Sequence, residues 1–201
     1  MADWDEDSPQ LRANLAEVLQ DIVRAAKDRE IPTLEAARKW QALAMRGLDV
    51  PDLRFVGAFR GEPGLENIRA RVGANWGVDP ADVARDLAAF QETLQMLVAE
   101  LDKQVPVGRE PDADQLAAII DLSAWAHAEW VRIHPFANGN GRTARLWANS
   151  IATRYGLPPF IRLRPRHHDG YGSAGASAMQ GDWEPTAAVF RKLLQDFLRE
   201  V

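Results

Sequence analysis

One short segment, residues 134–145, holds a histidine, a glycine-rich turn and two arginines, in the order His-Pro-Phe-Ala-Asn-Gly-Asn-Gly-Arg-Thr-Ala-Arg. The glycines at 139 and 141 allow unusual backbone dihedrals and a close approach of the backbone to a ligand. A helix that begins at this turn directs its free N–H groups at the same point, which favours a bound anion. Arg142 and Arg145 add two permanent positive charges on one helix face. We predict that this loop binds a polyphosphate.

His134 precedes the turn and is the best candidate for proton transfer. The chain contains no cysteine, so no thiol competes as the reactive group. An imidazole has a pKa near neutrality and can accept a proton from a hydroxyl that attacks a bound phosphate. A base, an anion site and two arginines together indicate phosphoryl or nucleotidyl transfer, in which a protein mainly positions groups and stabilises charge. The alternative is a plain helix–loop–helix turn with a capping glycine and a surface histidine.

Charge is unevenly distributed along the chain. Its 201 residues include 24 Lys and Arg against 29 Asp and Glu, for a net charge of −5. Residues 130–168 contain seven arginines and no acidic residue, so this stretch carries +7 and the remainder −12. A concentrated basic stretch in an acidic chain favours a local anion site over a nucleic-acid surface, which needs a basic face across the whole domain.

Composition narrows the class of protein further. With 46% hydrophobic and 26% charged residues, the chain is typical of one soluble globular domain. It has no run of about 18 apolar residues, so we expect no membrane span. The acidic start, residues 1–7, is unlike a signal peptide, and the absence of cysteine suits the cytoplasm.

Helical periodicity covers most of the chain and predicts a mainly α fold. Ser8-Pro9 supplies an N-cap and a first-turn proline for one helix. Apolar spacing and stop signals place the motif loop between two further helices. Those two helices are predicted at 113–133 and 142–155. The others span 33–47, 79–103 and 174–180, and a last one follows Glu184-Pro185.

Only residues 55–78 resist a helical interpretation. This region contains five glycines and a proline, with short β-favouring pieces around 65–69 and 72–76. Such spacing predicts a small β-hairpin, which we call the flap.

Residues 134–145 resemble the signature of the Fic (Fido) family, HPFx(D/E)GNGRxxR, and match all eight of its fixed letters. Residues 56–60, Val-Gly-Ala-Phe-Arg, with the predicted hairpin resemble the family's flap region. Tyr171 and the segment Met179–Trp183 resemble its C-terminal part. The resemblance divides the chain into a helical extension, residues 1–32, and a Fic domain, residues 33–201.

The resemblance implies an α-helical bundle with a β-hairpin flap that aligns a target side chain. It also implies a protein adenylyltransferase that moves AMP from ATP, with Mg²⁺, to a Ser, Thr or Tyr hydroxyl of another protein. By this likeness His134 is the base that deprotonates the target hydroxyl. The nucleotide-binding residues are Gly139, Asn140, Gly141 and Arg142 at the phosphates, Arg145 at the terminal phosphate and Tyr171 stacked on the adenine, while Phe136 anchors the loop.

Two features depart from the family pattern. Asn138 stands where the family has the Asp or Glu that holds Mg²⁺, and an amide oxygen lacks the charge behind most of that attraction, so we expect weaker metal binding. The family's inhibitory pattern, (S/T)xxxE(G/N), is also missing, because the one Glu followed by Gly or Asn is Glu66, with Glu62 four residues before it. Either a separate antitoxin-like partner restrains this protein or nothing does.

Other functions remain open at this point. One alternative is a Doc-like phosphotransferase, whose motif carries Lys where this chain has Gly141, or transfer of another nucleotide moiety. A second is a non-catalytic nucleotide-binding scaffold, and a nucleic-acid module is a weak third. The GxGxxG match at 170–175 follows no strand and does not indicate a dinucleotide fold.

We expect several other side chains to have structural roles. The adjacent residues His167, His168 and Asp169 lack the spacing of a metal site. We expect His127 to be a hydrogen-bonded core residue and most of the seven tryptophans to pack in the core. Trp76, in the flap, is the tryptophan to test for contact with a target or an adenine.

Overall fold

A computed structural model describes residues 4–165, 167 and 170–200. These residues form seven α-helices and one two-stranded antiparallel hairpin, which confirms the predicted mainly α fold. None of the described helices is long and apolar enough to cross a membrane. The helices are α1 (Pro9–Lys27), α2 (Leu34–Met45), α3 (Val83–Gln104), α4 (Ala113–Ile133), α5 (Asn140–Arg154), α6 (Tyr171–Ala178) and α7 (Glu184–Glu200), with short 3-10 turns at Leu53–Phe55 and Pro80–Asp82.

Side-chain caps set the starts of three helices. The Ser8 hydroxyl accepts from the Leu11 N–H at the start of α1, and Thr33 does the same for Ala36 at the start of α2. Asp112 and Gln115 form a reciprocal capping box before α4. Each cap satisfies backbone N–H groups that the first helical turn leaves without partners.

The two helices that flank the motif loop, α4 and α5, lie at the centre of the bundle. Their tryptophans, Trp130 and Trp147, are fully buried and pack with centroids 5.5 Å apart. Phe90 of α3 packs edge-on against both rings. This aromatic cluster confines the ends of α4 and α5, and therefore the loop between them, to one position.

The extension predicted at residues 1–32 packs α1 against α2 and α5. Its apolar side, including Leu11, Leu15 and Val18, is buried in the same core as the aromatic cluster. The division of the chain at residue 32 stays a prediction.

The flap is a hairpin of β1 (Arg71–Val72) and β2 (Asn75–Trp76), with Arg71 opposite Trp76 and Val72 opposite Asn75. The predicted first strand, around 65–69, is therefore wrong, and the predicted second one, around 72–76, contains the turn and parts of both observed strands. Buried Leu65 lies instead in a turn, where its N–H donates to the Glu62 carbonyl and its own carbonyl accepts from Gly61. The chain reverses between the strands at Gly73, whose φ of +58° suits glycine.

Two helix starts also differ from the prediction. Helix α5 begins at Asn140, two residues before the expected Arg142, because Gly139 and not Gly141 holds the left-handed cap position. Helix α6 begins at Tyr171 and not Ala174, after Gly170 at φ +85°. Each of these helices therefore starts directly after a glycine with positive φ.

Candidate active site

The motif loop, residues 134–139, is closed by two hydrogen bonds between Phe136 and Asn140, the first residue of α5. The Asn140 side chain accepts from the Phe136 N–H and donates to the Phe136 carbonyl, both at 2.8 Å. The Phe136 ring is fully buried and packs 4.9 Å from the ring of Phe59. Asn140 can therefore offer a ligand its backbone N–H, since its amide is already used within the loop.

Unusual backbone geometry is confined to one of the two motif glycines. Gly139 has φ +91°, and a Cβ there would lie 3.0 Å from Cε of Met45. Gly141 has helical dihedrals, and a Cβ there would meet only Nη1 of Arg145 at 3.7 Å. The expectation that both glycines take unusual dihedrals is therefore wrong for Gly141, since it lies inside α5.

The start of α5 presents backbone donors at this loop. Its first intrahelical bond runs from the Thr143 N–H to the Gly139 carbonyl, at 2.9 Å. Helix geometry leaves the N–H groups of the residues before Thr143 without an intrahelical acceptor. Together with the positive end of the helix dipole, these N–H groups can hold an anion.

His134 caps the end of α4 in a left-handed conformation, with φ and ψ both 53°. Its Nδ1 lies 3.0 Å from the Val131 carbonyl oxygen, so a neutral ring donates from Nδ1 and keeps Nε2 as an acceptor. Burial lowers the pKa of His134 to about 4, the Val131 bond opposes this shift, and the positive charge of Arg60 adds to it. The side chain is thus a neutral imidazole with Nε2 available as a base.

Arg60 holds the backbone around His134 and was not singled out as a site residue from the sequence. Its Nε donates to the His134 carbonyl at 2.7 Å and its Nη2 to the Ile133 carbonyl at 3.0 Å. Its own N–H donates to the Pro135 carbonyl at 2.7 Å. These partners lie more than 70 residues away, so no local pattern in the sequence identifies the contact.

Arg142 is almost fully buried and faces residues 4–5. Its Nη1 donates to the Trp4 carbonyl at 2.9 Å, and its Nη2 donates to Oδ1 of Asn138 at 2.8 Å. A carboxylate oxygen of Asp5 lies 4.0 Å from Nη2. The Trp4 ring stacks on Phe55 with centroids 5.8 Å apart, which holds this segment against the motif loop.

Arg145 contacts a different element, α6. Its Nη1 donates to the Tyr171 hydroxyl at 3.2 Å, and that hydroxyl lies 2.7 Å from Nε2 of His127. Burial lowers the pKa of His127 to about 3, and the charges of Arg145 and His167 contribute less to the same shift. The tautomer of His127 decides whether Nε2 accepts from the Tyr171 hydroxyl or donates to it, and with either tautomer the hydroxyl oxygen accepts from Arg145.

His127 is thus a core residue, as the sequence predicts, but only one of its ring nitrogens is hydrogen-bonded. Its Nδ1 has no hydrogen-bond partner among the described residues. Most tryptophans pack in or against the core, whereas Trp76 is 57% exposed at the flap. Its exposure leaves Trp76 available for the contacts that we expect to test there.

The role of Asn138 as a ligand of Mg²⁺ stays a prediction. No group of three His, Asp or Glu side chains within the described ranges has the arrangement of a metal site. Asn138 offers one neutral oxygen, and that oxygen already accepts from Arg142. His167 alone of the 167–169 triplet is described, and Arg166, His168 and Asp169 lie outside the described residues.

Arg132 and Arg154, two of the seven arginines in residues 130–168, are paired with carboxylates and not with the motif loop. Arg132 pairs with Asp86 and Glu129, and Arg154 pairs with Asp102. These two arginines stabilise the packing of α3 against its neighbours. Arg142 and Arg145 are the arginines of this stretch that belong to the motif.

A comparison with protein-family models matches residues 31–152 to the Fic/DOC family. A protein adenylyltransferase Fic from Nematostella vectensis is 34% identical over 106 residues, which is 53% of this chain and 21% of that protein. Protein adenylyltransferase fic-1 from Caenorhabditis elegans is 42% identical over 66 residues, which is 33% of this chain and 13% of that protein. The chain thus covers about a fifth or less of the length of these curated relatives.

Solved structures show the same fold. A Fic-domain signaling protein from Bacteroides thetaiotaomicron matches with a TM-score of 0.63 at 22% identity, over 92% of this chain and 69% of that one. BepC from Bartonella tribocorum, solved with bound AMPPNP, matches with a TM-score of 0.59 at 14% identity, over 93% of this chain and 87% of that one. The match to the family model covers the flap, α4, the motif loop and all but the last two residues of α5, and on this ground the chain belongs to the Fic/DOC family.

Proposed function

We propose that this protein is an adenylyltransferase that moves AMP from ATP to a Ser, Thr or Tyr hydroxyl of a target protein. The observation that carries the proposal is the His134 ring. Its Nδ1 is held on the Val131 carbonyl, which leaves Nε2 as an acceptor, and α5 begins at Asn140, six positions further along the chain. The named activity of the relatives from N. vectensis and C. elegans supports the same chemistry.

In the proposed reaction the target hydroxyl oxygen attacks the α-phosphorus of ATP. Nε2 of His134 takes the hydroxyl proton as the new O–P bond forms. The bond from the α-phosphorus to the bridging oxygen of the β-phosphate breaks, and pyrophosphate leaves with that electron pair. Histidine ends protonated and returns its proton to water.

The phosphates are proposed to lie at the N-terminus of α5. The N–H groups of Gly139, Asn140 and Gly141 and the guanidinium of Arg142 would surround them, with Arg145 at the terminal phosphate. Nε of Arg145 is buried and has no hydrogen-bond partner within the part of the chain that is described, which is consistent with a ligand for this side chain. Stabilisation of charge by such prepositioned donors is the main contribution of a protein to phosphoryl chemistry.

Magnesium enters this proposal as part of the substrate, Mg·ATP, carried by the phosphates of the nucleotide. AMPPNP, which is bound in the BepC structure, resembles ATP and supports ATP as the donor. Tyr171 is proposed to contact the nucleotide next to Arg145, where its hydroxyl lies. Its stacking on adenine stays a prediction.

Radiolabelled ATP tests the activity against its nearest alternatives. Purified protein is incubated with a cell lysate and ATP labelled at the α- or the γ-phosphate, with His134→Ala as the matched control. We expect a protein-bound α-label that the control lacks. A γ-label in its place indicates a Doc-like phosphotransferase, whereas no label, with equal ATP binding by both variants, indicates a binding scaffold.

Restraint of the activity is proposed to come from a separate partner. In the described residues no carboxylate forms an ion pair with Arg145, the arginine that the family's inhibitory glutamate blocks, and the (S/T)xxxE(G/N) pattern is missing from the sequence. A small neighbouring reading frame that encodes this pattern would identify an antitoxin. If such a protein binds this chain without lowering AMP transfer, the antitoxin proposal fails.

A further inference from the structure

A single buried arginine joins the two ends of the flap to the backbone of His134. The Arg60 side chain is 2% exposed and donates to four backbone carbonyls. Two of these belong to the motif helix and loop, at Ile133 and His134. The other two belong to Ile68 and Val78, at 3.3 and 2.9 Å, on either side of the hairpin.

Arg60 forms no ion pair within 4 Å among the described residues, although the charge of Asp79 acts on it from further away. Burial lowers the pKa of Arg60 to about 10, which still leaves the guanidinium charged near neutral pH. A charged group with only neutral acceptors is expensive to bury, and the planar fork meets this cost with several directed hydrogen bonds. A lysine would keep the charge, but its ammonium has three N–H donors on one nitrogen and cannot donate to the same four carbonyls.

Gly77 allows the flap to lie close to His134 and Arg60. A Cβ at Gly77 would lie 2.6 Å from Cβ of His134 and 3.1 Å from Nη2 of Arg60. The base of β2 therefore lies directly against the histidine, and no other residue fits there without displacement. Two neighbouring features, a buried arginine and a glycine without space for a side chain, serve one contact.

We propose that Arg60 is a positioning residue that fixes the flap to the left-handed backbone of His134. Through this junction the hairpin that presents the target and the imidazole that accepts its proton form one unit. Alignment of a nucleophile with its base within about an ångström decides the rate of such a reaction. The proposal rests on the proposed role of His134 as the base.

Four variants of the full-length protein test the junction. Arg60→Lys keeps the charge but loses the planar set of donors, and Arg60→Gln loses both. Gly77→Ala pushes the flap base away from His134 while the arginine itself stays in the sequence. Arg69→Gln is the matched control, because Arg69 is an exposed flap arginine that binds only the Asp79 carboxylate in the described structure.

Hydrogen exchange of the amides in residues 69–78 gives a readout that needs no activity. We expect exchange about tenfold faster or more in Arg60→Lys and Gly77→Ala, and unchanged in Arg69→Gln. We also expect kcat for AMP transfer to fall about tenfold or more, with the KM for ATP changed by less than about twofold, because the phosphate groups bind elsewhere. NMR of the His134 ring in Arg60→Gln is expected to show its titration at higher pH than in wild type.

The proposal is overturned if Arg60→Lys keeps wild-type exchange in the flap and wild-type kcat. It is also overturned if the KM for ATP rises with kcat unchanged, which would make Arg60 a nucleotide-binding residue. Should Arg60→Gln fail to fold, Arg60→Lys and Gly77→Ala still decide the matter. If wild-type protein transfers no AMP, the proposed function fails, while flap exchange and the His134 spectrum still test the junction.

Discussion

Nδ1 of His134 lies 3.0 Å from the carbonyl oxygen of Val131, one turn back along α4. This bond assigns the proton of the neutral ring to Nδ1 and leaves Nε2 as the acceptor. The bond depends on the left-handed backbone at His134, because a continued helix would carry the ring away from that carbonyl. The orientation of the proposed base is therefore set by where α4 stops.

The acid limit of the reaction should lie below the usual range of a histidine. Nε2 must be unprotonated, and burial lowers the pKa of His134 to about 4, so protonation begins only in acid. We expect kcat/KM to stay constant from about pH 8 to about pH 6 and to fall below about pH 5. The pH profile, with NMR titration of the ring, measures this. A half-maximal rate near pH 6.5 would contradict it.

Asn138→Asp should lower the Mg²⁺ requirement. A carboxylate supplies the charge that attracts a hard cation and that the amide lacks. We expect the Mg²⁺ concentration for half-maximal activity to fall by about fivefold to tenfold. Asn67→Asp, the same change at an exposed position outside the motif loop and both hairpin strands, is the control. An unchanged Mg²⁺ requirement in Asn138→Asp would show that the phosphates of ATP alone determine metal binding.

Tyr171→Phe should weaken ATP binding and lower the free energy of unfolding. It removes the hydroxyl that joins Arg145 to His127, and each lost buried hydrogen bond costs about 1 kcal/mol of unfolding free energy. We expect the KM for ATP to rise by about threefold to tenfold, because Arg145 loses its orienting contact. Denaturant unfolding and steady-state kinetics measure the two effects.

Tyr155→Phe is the control for Tyr171→Phe. Its hydroxyl also makes two contacts, with the Val98 carbonyl and with Asp102, but at the far end of α5. We expect a similar loss of stability with no change in the KM for ATP. A rise in KM in both variants would assign the effect to general destabilisation.

Asp5→Asn should tighten the binding of ATP. Its carboxylate lies 4.0 Å from both Arg142 and Arg164, so it opposes a second anion at this site. The Asp5 side chain is 59% exposed and therefore screened, and we expect a gain of only about twofold to fivefold, smaller still in high salt. Calorimetry measures it, with Asp21→Asn on α1 as the control. Weaker binding by Asp5→Asn would indicate that Asp5 helps to orient Arg142.

Local patterns were sufficient for the existence and order of the helices, although the starts of α5 and α6 lie two and three residues before the predicted ones. Apolar spacing of three or four residues, N-caps and glycine stops act within a few residues of the positions they affect, so α4 was predicted with its observed bounds. They were insufficient for the flap, because two-residue strands carry no periodicity. The turn at Leu65 depends on the burial of the Leu65 side chain, and no local pattern in the sequence indicates that burial.

By itself the sequence determined the family, the helical class and the residue types of the proposed site. Only the tertiary structure decided what those residues touch. It brings Trp4 to Arg142, Tyr171 to Arg145 and His127, and Arg60 to the carbonyls of Ile133 and His134. These contacts join residues 26 to 138 positions apart. They arise from how the helices pack around Trp130 and Trp147, and such packing depends on the whole chain at once.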